Sequence, residues 1–297
     1  MNPVSPNSQK SAVSVGQRSA TAQPAQPSPG SYSQHASGMA APSGASAVPP
    51  VQIIQPGVAY TAHGSPVVWM AMPHISVPDC PPGLEYLALL DQLLIQQEVE
   101  LLEVFTSCEG ANKYRIKNAM AQQVYYAEET TDCLTRQCCG NMRPFDLRVL
   151  DNAMNEVIRV HRPYRCKSCC CFCCLQVLEV TAPPGTVIGY VVQEWSFCIP
   201  KFKIENSNHE VMLRIEGPVC TSSCFGNVEF QVLSSDGKTQ VGKISKQWSG
   251  VLKEMFTDAD NFGIQFPKDL DVHMKGTLLG ACFLIDFMFF ENNVRKG

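Results

Sequence analysis

Near its C-terminus the sequence reads LLGACFLIDFMFF at residues 278–290, thirteen residues with Asp286 as their only charge. A helix that is apolar on all sides is either a membrane span or the core of a globule. At about 1.5 Å per residue the run covers about 20 Å, whereas the hydrocarbon core of a bilayer is about 30 Å thick. Asp286 in lipid would also cost about 2.5–3.5 kcal/mol. Length and charge therefore favour a core helix over a span. The candidate membrane or core positions are Leu278, Phe283, Ile285, Asp286 and Phe289.

The sequence before this run alternates apolar and polar residues with a period of two. Residues 145–149 (FDLRV), 157–160 (VIRV) and 228–232 (VEFQV) are clear examples. About a dozen such segments, separated by polar turns, are typical of antiparallel hairpins with one face in water. Residues 156–166 are echoed by residues 210–220, which indicates a duplicated meander.

A single sheet of about twelve strands would leave costly edges unless it closes. The interior of a barrel that wide must be occupied, and a helix formed by the apolar C-terminal run can occupy it. We therefore predict a mainly β fold, a closed antiparallel barrel of about twelve strands around a C-terminal hydrophobic helix at residues 275–291. Apolar spacing also predicts a short helix over residues 84–94.

The N-terminal part differs sharply in composition. Fourteen of the 21 prolines lie in residues 1–82, and the charged residues before Glu85 are Lys10, Arg18 and Asp79. Such a segment buries too little apolar surface to offset chain entropy. We predict a disordered Pro-rich tail over residues 1–80 and a folded domain over residues 81–291. The tail either offers polyproline ligands to adaptor domains or only solubilises the chain.

The global composition narrows the classes of function. A net charge of −4 gives no general attraction to nucleic acid, so a nucleic-acid partner is not expected. The N-terminus lacks the basic-then-apolar pattern of a secretory signal, yet the chain has 15 cysteines. Without an oxidising compartment, these thiols indicate metal binding, lipid attachment or buried packing rather than disulfides.

Six of the nine residues at 166–174 (CKSCCCFCC) are cysteines. A zinc ribbon separates its two cysteine pairs by about 15–20 residues, whereas one residue separates them here. Cys220 and Cys224 could complete a four-thiolate site, so zinc stays an alternative. S-acylation fits crowded free thiols better, because two or more acyl chains anchor a protein stably. The candidate acylation sites are Cys169, Cys170, Cys171, Cys173 and Cys174.

Residues 258–269 (DADNFGIQFPKD) share spacing with an EF-hand calcium loop. Asp258, Asp260 and Asp269 occupy loop positions 1, 3 and 12, and Gly263 occupies position 6. Positions 5 and 9 are phenylalanines and position 12 lacks the longer glutamate, so any calcium affinity should be weak, about 10⁻⁴–10⁻³ M. The alternative is an ordinary strand over residues 262–266 between acidic turns.

The sequence contains neither a GxGxxG motif nor a Walker phosphate loop, and no local motif groups a nucleophile with a base. The six histidines are scattered. We therefore expect a protein without covalent catalysis. Lys243 and Lys246 would suit nuclear import or a lipid headgroup, but the repeat favours a plain strand there.

Taken together, these residues resemble the phospholipid scramblases over nearly all of residues 80–291. The matching motifs are residues 80–87 (CPPGLEYL), 166–174, 182–185 (APPG), 258–269 and 280–291 (GACFLIDFMFFE). The resemblance implies calcium-dependent, ATP-independent, bidirectional movement of phospholipids between membrane leaflets. It assigns calcium to residues 258–269 and palmitoylation to the cysteine cluster.

The same resemblance implies a single C-terminal membrane span with a cytoplasmic N-terminus, at the plasma membrane. It is compatible with a nuclear pool and with a homo-oligomer. The family is also similar to the tubby-like fold, a twelve-stranded barrel around a central helix. Span and core are competing roles for one helix. An alternative function is an acylated, membrane-tethered module that binds lipids or proteins for signalling without transporting lipid.

Overall fold

The structure is a computed structural model that describes residues 67–73, 78–98, 111–132, 134–136, 143–165, 174–219, 221, 228–247 and 261–291. Most of the predicted tail, residues 1–66, lies outside the described residues.

Twelve strands form within the described part of the chain, each joined to its neighbours by antiparallel pairing. They are β1 (Gln92–Glu98), β2 (Lys113–Lys117), β3 (Gln123–Glu129), β4 (Phe145–Leu150), β5 (Glu156–Arg162), β6 (Val177–Thr181), β7 (Val187–Glu194), β8 (Lys201–Asn206), β9 (Val211–Glu216), β10 (Val228–Ser234), β11 (Gln240–Gln247) and β12 (Asn261–Gln265).

The sheet closes on itself, because β12 pairs with β1, with Ile264 opposite Leu93 and Phe262 opposite Ile95. All other pairs join consecutive strands, so the barrel is a simple up-and-down meander. Alternate residues face the core, and Ile204 and Phe230, for example, are buried. The predicted closed barrel of about twelve strands is confirmed.

The predicted helix over residues 84–94 is correct only in its first half. Helix α1 covers Glu85–Leu89, and β1 has begun by Gln92. Leu93 and Ile95 face the core from β1, so pairing with β2 and β12 outweighs the helical spacing that the leucines suggest.

The second helix, α2 (Val272–Phe289), runs through the middle of the barrel. It starts three residues before the predicted position, because the Asp271 carboxylate accepts hydrogen bonds from the backbone N–H groups of His273 and Met274 and caps the helix there. All but three of its residues, His273, Met288 and Phe289, are buried. By length and mean hydropathy it is the one helix of the described residues that would suffice to cross a membrane, yet 83% of it is buried inside the barrel.

The first turn of α2 is fixed by a buried lysine. The Lys275 ammonium donates hydrogen bonds to the carbonyl oxygens of Leu87, Leu90 and Lys268, at 2.9, 2.8 and 2.7 Å. Burial lowers the pKa of this lysine. Because Leu87 and Leu90 lie at the C-terminal end of α1, the lysine also satisfies carbonyls that the short helix leaves open.

An apolar strip from the predicted tail lies against the barrel. Trp69 bridges Gln123 at the start of β3, with Met70 N to Gln123 O and Gln123 N to Val68 O both 2.8 Å. Met70 also packs against the core. Contact with the barrel therefore begins before the predicted domain boundary at residue 81.

Two glycines on α2 differ in how closely they approach the barrel wall. A Cβ added to Gly280 would lie 2.7 Å from Val180 Cγ2 and 3.1 Å from Leu178 Cδ2. A Cβ added to Gly276 would lie 3.1 Å from Ile188 Cδ1, the mobile end of a longer side chain. Gly280 thus allows α2 to lie directly on β6.

This difference gives a test of the helix position. We expect Gly280→Ala to lower the free energy of unfolding by about 1–3 kcal/mol, because the stiff Val180 side chain cannot give way. The loss should appear although alanine forms helix about 1 kcal/mol better than glycine. Chemical denaturation of the purified protein measures it.

Gly276→Ala is the matched control, since Ile188 Cδ1 can rotate aside and the gain in helix propensity then offsets the contact. Equal stabilisation by both alanines would mean that α2 lies away from the barrel wall in solution.

Candidate functional site

The two ends of the barrel are built differently. At the end where α2 begins, here called the turn end, five connections of four or five residues join β2–β3, β4–β5, β6–β7, β8–β9 and β10–β11. At the end where α2 finishes, here called the loop end, six connections of 6 to 15 residues join the remaining consecutive strands. Long loops on a rigid scaffold are where binding residues concentrate, so the loop end is the candidate site.

Two of the sequence motifs belong to the turn end and have structural roles there. Gly83, of residues 80–83, has a positive φ of 91°, and its carbonyl accepts a 2.6 Å hydrogen bond from the Tyr125 hydroxyl. Gly185, of residues 182–185, has φ 98° in the turn between β6 and β7. These positive φ values explain the glycine that follows the Pro-Pro pair in both motifs.

The cysteine cluster lies on the connection between β5 and β6, at the loop end. Cys174 is partly buried, while Cys169, Cys170, Cys171 and Cys173 lie outside the described residues. The acylation sites therefore stay a prediction, as does the zinc alternative, whose Cys220 and Cys224 also lie outside the described residues.

A buried arginine, Arg162, forms a clamp by joining the two ends of this connection through hydrogen bonds. Arg162, the last residue of β5, donates to the Gln176 side chain at 2.7 and 3.0 Å, and Gln176 donates to the Cys174 carbonyl at 3.0 Å. Arg165 donates to the Leu175 carbonyl at 3.0 Å. Burial lowers the pKa of Arg162 to about 10, so the clamp remains charged at neutral pH. The two ends of the cysteine-bearing connection are thereby held together.

The predicted calcium loop is divided by a strand. Asn261–Gln265 form β12, and Gly263 pairs with Leu94 and Ser245 instead of making the sharp turn of an EF-hand. Of the two alternatives for this segment, the strand is the one that forms.

The chain between Asp260 and Asp269 therefore begins as an extended strand, not as a calcium-binding turn. Asp258 and Asp260 lie outside the described residues and precede β12 in sequence, whereas Asp269 is exposed in the turn before α2. Five extended residues span about 16 Å. Calcium–oxygen distances are about 2.3–2.6 Å, so the structure does not bring Asp269 toward an ion held beyond Asn261. Within the described ranges, no cluster of three or more His, Cys, Asp or Glu side chains could hold a metal ion.

Beneath the loop end, the single acid of α2 has a partner. Asp286 is buried and accepts a 2.8 Å hydrogen bond from the Tyr114 hydroxyl of β2. Burial raises the pKa of Tyr114 well above its usual value, and the Asp286 charge adds to the effect. The hydroxyl therefore stays a donor. Of the five helix positions singled out from the sequence, four are buried and Phe289 is partly exposed.

A buried arginine ties the end of α2 to the strands. Arg143 donates to Glu129 at 2.7 and 2.8 Å and pairs with Glu291 at 2.5 Å. Burial alone would lower the pKa of Arg143, but the hydrogen bonds and charges of these two glutamates hold it above its ordinary value. Asn112 adds a 3.1 Å hydrogen bond to Glu291. Removing one partner from such a buried pair typically costs about 3–5 kcal/mol.

Sequence reasoning missed this network. Tyr114 lies on the core face of β2, as Ile116 does. A hydroxyl at a position where the alternation predicts an apolar side chain was the sequence signal for a buried polar contact. Arg143 precedes β4 in irregular sequence and carries no such signal. The two lysines of β11 have different surroundings. Lys243 pairs with Glu229 at 2.7 Å, whereas Lys246 is buried over the Phe290 ring.

The comparisons with known proteins cover the barrel and its helix. The family model Scramblase matches residues 70–292. Phospholipid scramblase 1 of Homo sapiens is 58% identical over 226 residues, which cover 76% of this chain and 71% of that protein. Phospholipid scramblase 2 of Bos taurus is 56% identical over 237 residues, 80% of each chain. Phospholipid scramblase family member 5 of Homo sapiens is 51% identical over 223 residues, 75% of this chain and 81% of that protein.

No solved structure matches the chain significantly. The matched segment begins ahead of α1 and extends past α2, so it includes the twelve strands of the described residues together with α1 and α2. The chain therefore belongs to the phospholipid scramblase family.

Proposed function

We propose that the protein moves phospholipids in both directions between the leaflets of a membrane, without ATP and in response to calcium. The observation that carries this proposal is its similarity, over the whole barrel, to proteins named phospholipid scramblases. Translocation breaks no covalent bond, so it requires no catalytic residue. What it requires is a lower barrier for a polar headgroup crossing hydrocarbon.

A single copy of the chain offers little to lower that barrier. Among the described residues, the one helix long enough to cross a membrane has Asp286 as its single acid, and that carboxylate accepts a hydrogen bond from Tyr114 inside the barrel. We therefore propose that translocation takes place outside the barrel, between associated copies or in bilayer thinned by the attached barrel ends.

Attachment is proposed to come from acyl chains on Cys169, Cys170, Cys171, Cys173 and Cys174, on the cytoplasmic face of the plasma membrane. Each buried methylene of an acyl chain adds about 0.8 kcal/mol, so two or more chains anchor a protein stably. The clamp formed by Arg162 and Gln176 supports this role, because it fixes where the cysteine-bearing connection leaves the barrel.

Calcium is proposed to act through Asp258 and Asp260, which precede β12 in sequence, with weak affinity. Asp269, which the family resemblance groups with them, belongs to the turn end and serves as the control. A divalent cation would reduce the repulsion between these carboxylates and an anionic leaflet.

A second candidate function is a membrane-tethered module that binds lipids or proteins and transports nothing. The burial of α2 in the barrel favours it, since a helix kept there provides no span. The Pro-rich N-terminal sequence would then recruit adaptor domains.

Reconstitution separates the two functions. We expect the purified protein in symmetric liposomes to expose a fluorescent lipid analogue of the inner leaflet to an external quencher, faster with calcium than with a chelator. Exchange at the rate of protein-free liposomes under both conditions would leave the binding module as the function.

Substitutions of the three aspartates test the calcium proposal separately. Asp258→Ala/Asp260→Ala should abolish the calcium response, whereas Asp269→Ala should retain it. The response is measured by leaflet exchange and by intrinsic tryptophan fluorescence in a calcium titration through about 10⁻³ M. Loss of the response in Asp269→Ala alone would assign calcium to the turn end.

Acylation can be tested in cells by replacing the five candidate cysteines with alanine. We expect the variant to leave the membrane fraction during an alkaline wash that retains the wild type. Cys80→Ala is the control, because burial raises the pKa of that thiol to about 11 and makes it unreactive. Full retention of the five-alanine variant would make α2 the anchor.

A further inference from the structure

The exposed aromatic side chains of the described residues lie on two neighbouring connections of the loop end. They are Tyr164, Trp195 and Phe197, exposed by 60%, 51% and 90%. Tyr164 lies on the β5–β6 connection and the other two on the β7–β8 connection. A phenylalanine exposed by nine tenths at a loop tip has most of its apolar surface in water, which marks a contact surface rather than a packing position.

The β7–β8 connection, residues 195–200, reads WSFCIP and contains no charged residue. Its base is firmly held. The Pro200 carbonyl accepts a 2.8 Å hydrogen bond from Gly217 N, and Glu194 pairs with Arg214 at 2.8 Å. The apolar loop therefore stands on a fixed base.

The charges around this base are already paired. Lys201 pairs with Glu216 at 2.7 Å, and Lys203 approaches Glu194 at 3.6 Å. Because these charges pair with one another, the surface that the loop presents to a partner is apolar and aromatic. It is not dominated by positive or by negative charge.

The loop adjoins the cysteine-bearing connection directly. Gln193 N donates to the Gln176 carbonyl at 2.8 Å, and Gln176 N donates to the Gln193 side chain at 3.0 Å. Cys174 and Trp195 are each two residues beyond this pair, on the loop-end side. Acyl chains on the cysteine cluster would therefore enter a bilayer beside Trp195.

We infer that residues 195–200, together with Tyr164, form a membrane-contact surface that inserts Trp195 and Phe197 into the interfacial layer of the bilayer. The amphipathic rings of Trp and Tyr favour the headgroup level, and an apolar Phe side chain favours the acyl boundary just below it. The inference rests on the proposed membrane function, and it fixes which end of the barrel faces the lipid.

A protein partner is the competing occupant, because aromatic residues are also enriched in protein interfaces. The lipid is favoured by the adjacent cysteines and by Val219, exposed by 78% on the next connection around the rim. Three consecutive loop-end connections thus carry exposed apolar or aromatic side chains.

Binding to vesicles tests the inference with a matched pair of variants. The full chain without acyl groups is sedimented with vesicles of phosphatidylcholine and phosphatidylserine. We expect Phe197→Ser to weaken binding roughly tenfold or more, as for the loss of one buried Phe side chain. Met120→Ser removes a residue exposed by 73% at the turn end and should change binding less than about twofold.

Insertion itself is read from the fluorescence of Trp195. The chain has three tryptophans, so Trp69→Phe/Trp248→Phe leaves Trp195 as the reporter. We expect phosphatidylcholine brominated near the headgroup end of its acyl chains to quench this emission, and Phe197→Ser to reduce the quenching. Thermal unfolding of each variant verifies that it remains folded.

The outcomes separate this inference from the proposed function. Lipid exchange without Trp195 quenching, or equal binding by Phe197→Ser and the wild type, overturns the surface and leaves the function standing. Quenching without lipid exchange supports the surface and contradicts the function. Failure of the wild type to bind vesicles overturns the surface and makes a protein the occupant of the loop.

Discussion

Closure of the sheet around an apolar helix is the constraint on which the structure depends. A helix with no polar face must be covered on every side, and an antiparallel sheet with about twelve strands must lose its edges and fill its interior. Each element satisfies the requirement of the other. The helix and the sheet are in direct contact, because Gly280 allows the helix backbone to lie on Val180 without an intervening side chain. Within the described part of the chain, neither the sheet nor the helix has a comparable alternative partner.

The polar groups of the core follow from this arrangement. Charges on a buried helix are tolerable only where hydrogen-bonding partners meet them, so they occur near its ends. At the turn end, three carbonyls surround Lys275. At the loop end, Tyr114 meets Asp286, and Arg143 joins Glu129 to Glu291. These contacts fix how far the helix lies along the barrel axis, which apolar packing alone specifies weakly.

The fold was predictable because its signals are periodic, and the site was less so because its signals are not. Alternation located strands such as β4, β5 and β10, and their number required closure. Gly263 illustrates the limit, because a spacing that fits a calcium loop is also met by a strand with acids at both ends. Asp258 and Asp269 are eleven positions apart in sequence, yet the five residues of β12 between them are extended and do not form the turn of a calcium loop. Tyr114 and Arg143 act through partners distant in sequence, which local patterns do not reveal.

The competition between span and core has an energetic side. Withdrawing α2 into a bilayer would expose the apolar interior of twelve strands to water, and each exposed core side chain forfeits about 1.5–3 kcal/mol. Asp286 would exchange the Tyr114 hydroxyl for hydrocarbon, at about 2.5–3.5 kcal/mol. A barrel that keeps its helix avoids both costs, but it can then meet the membrane only with its outer surface. The loop end is where that surface is apolar and aromatic, next to the thiols. On the proposed function, lipid movement would then take place in the bilayer beside the loop end, between barrels attached in the same orientation.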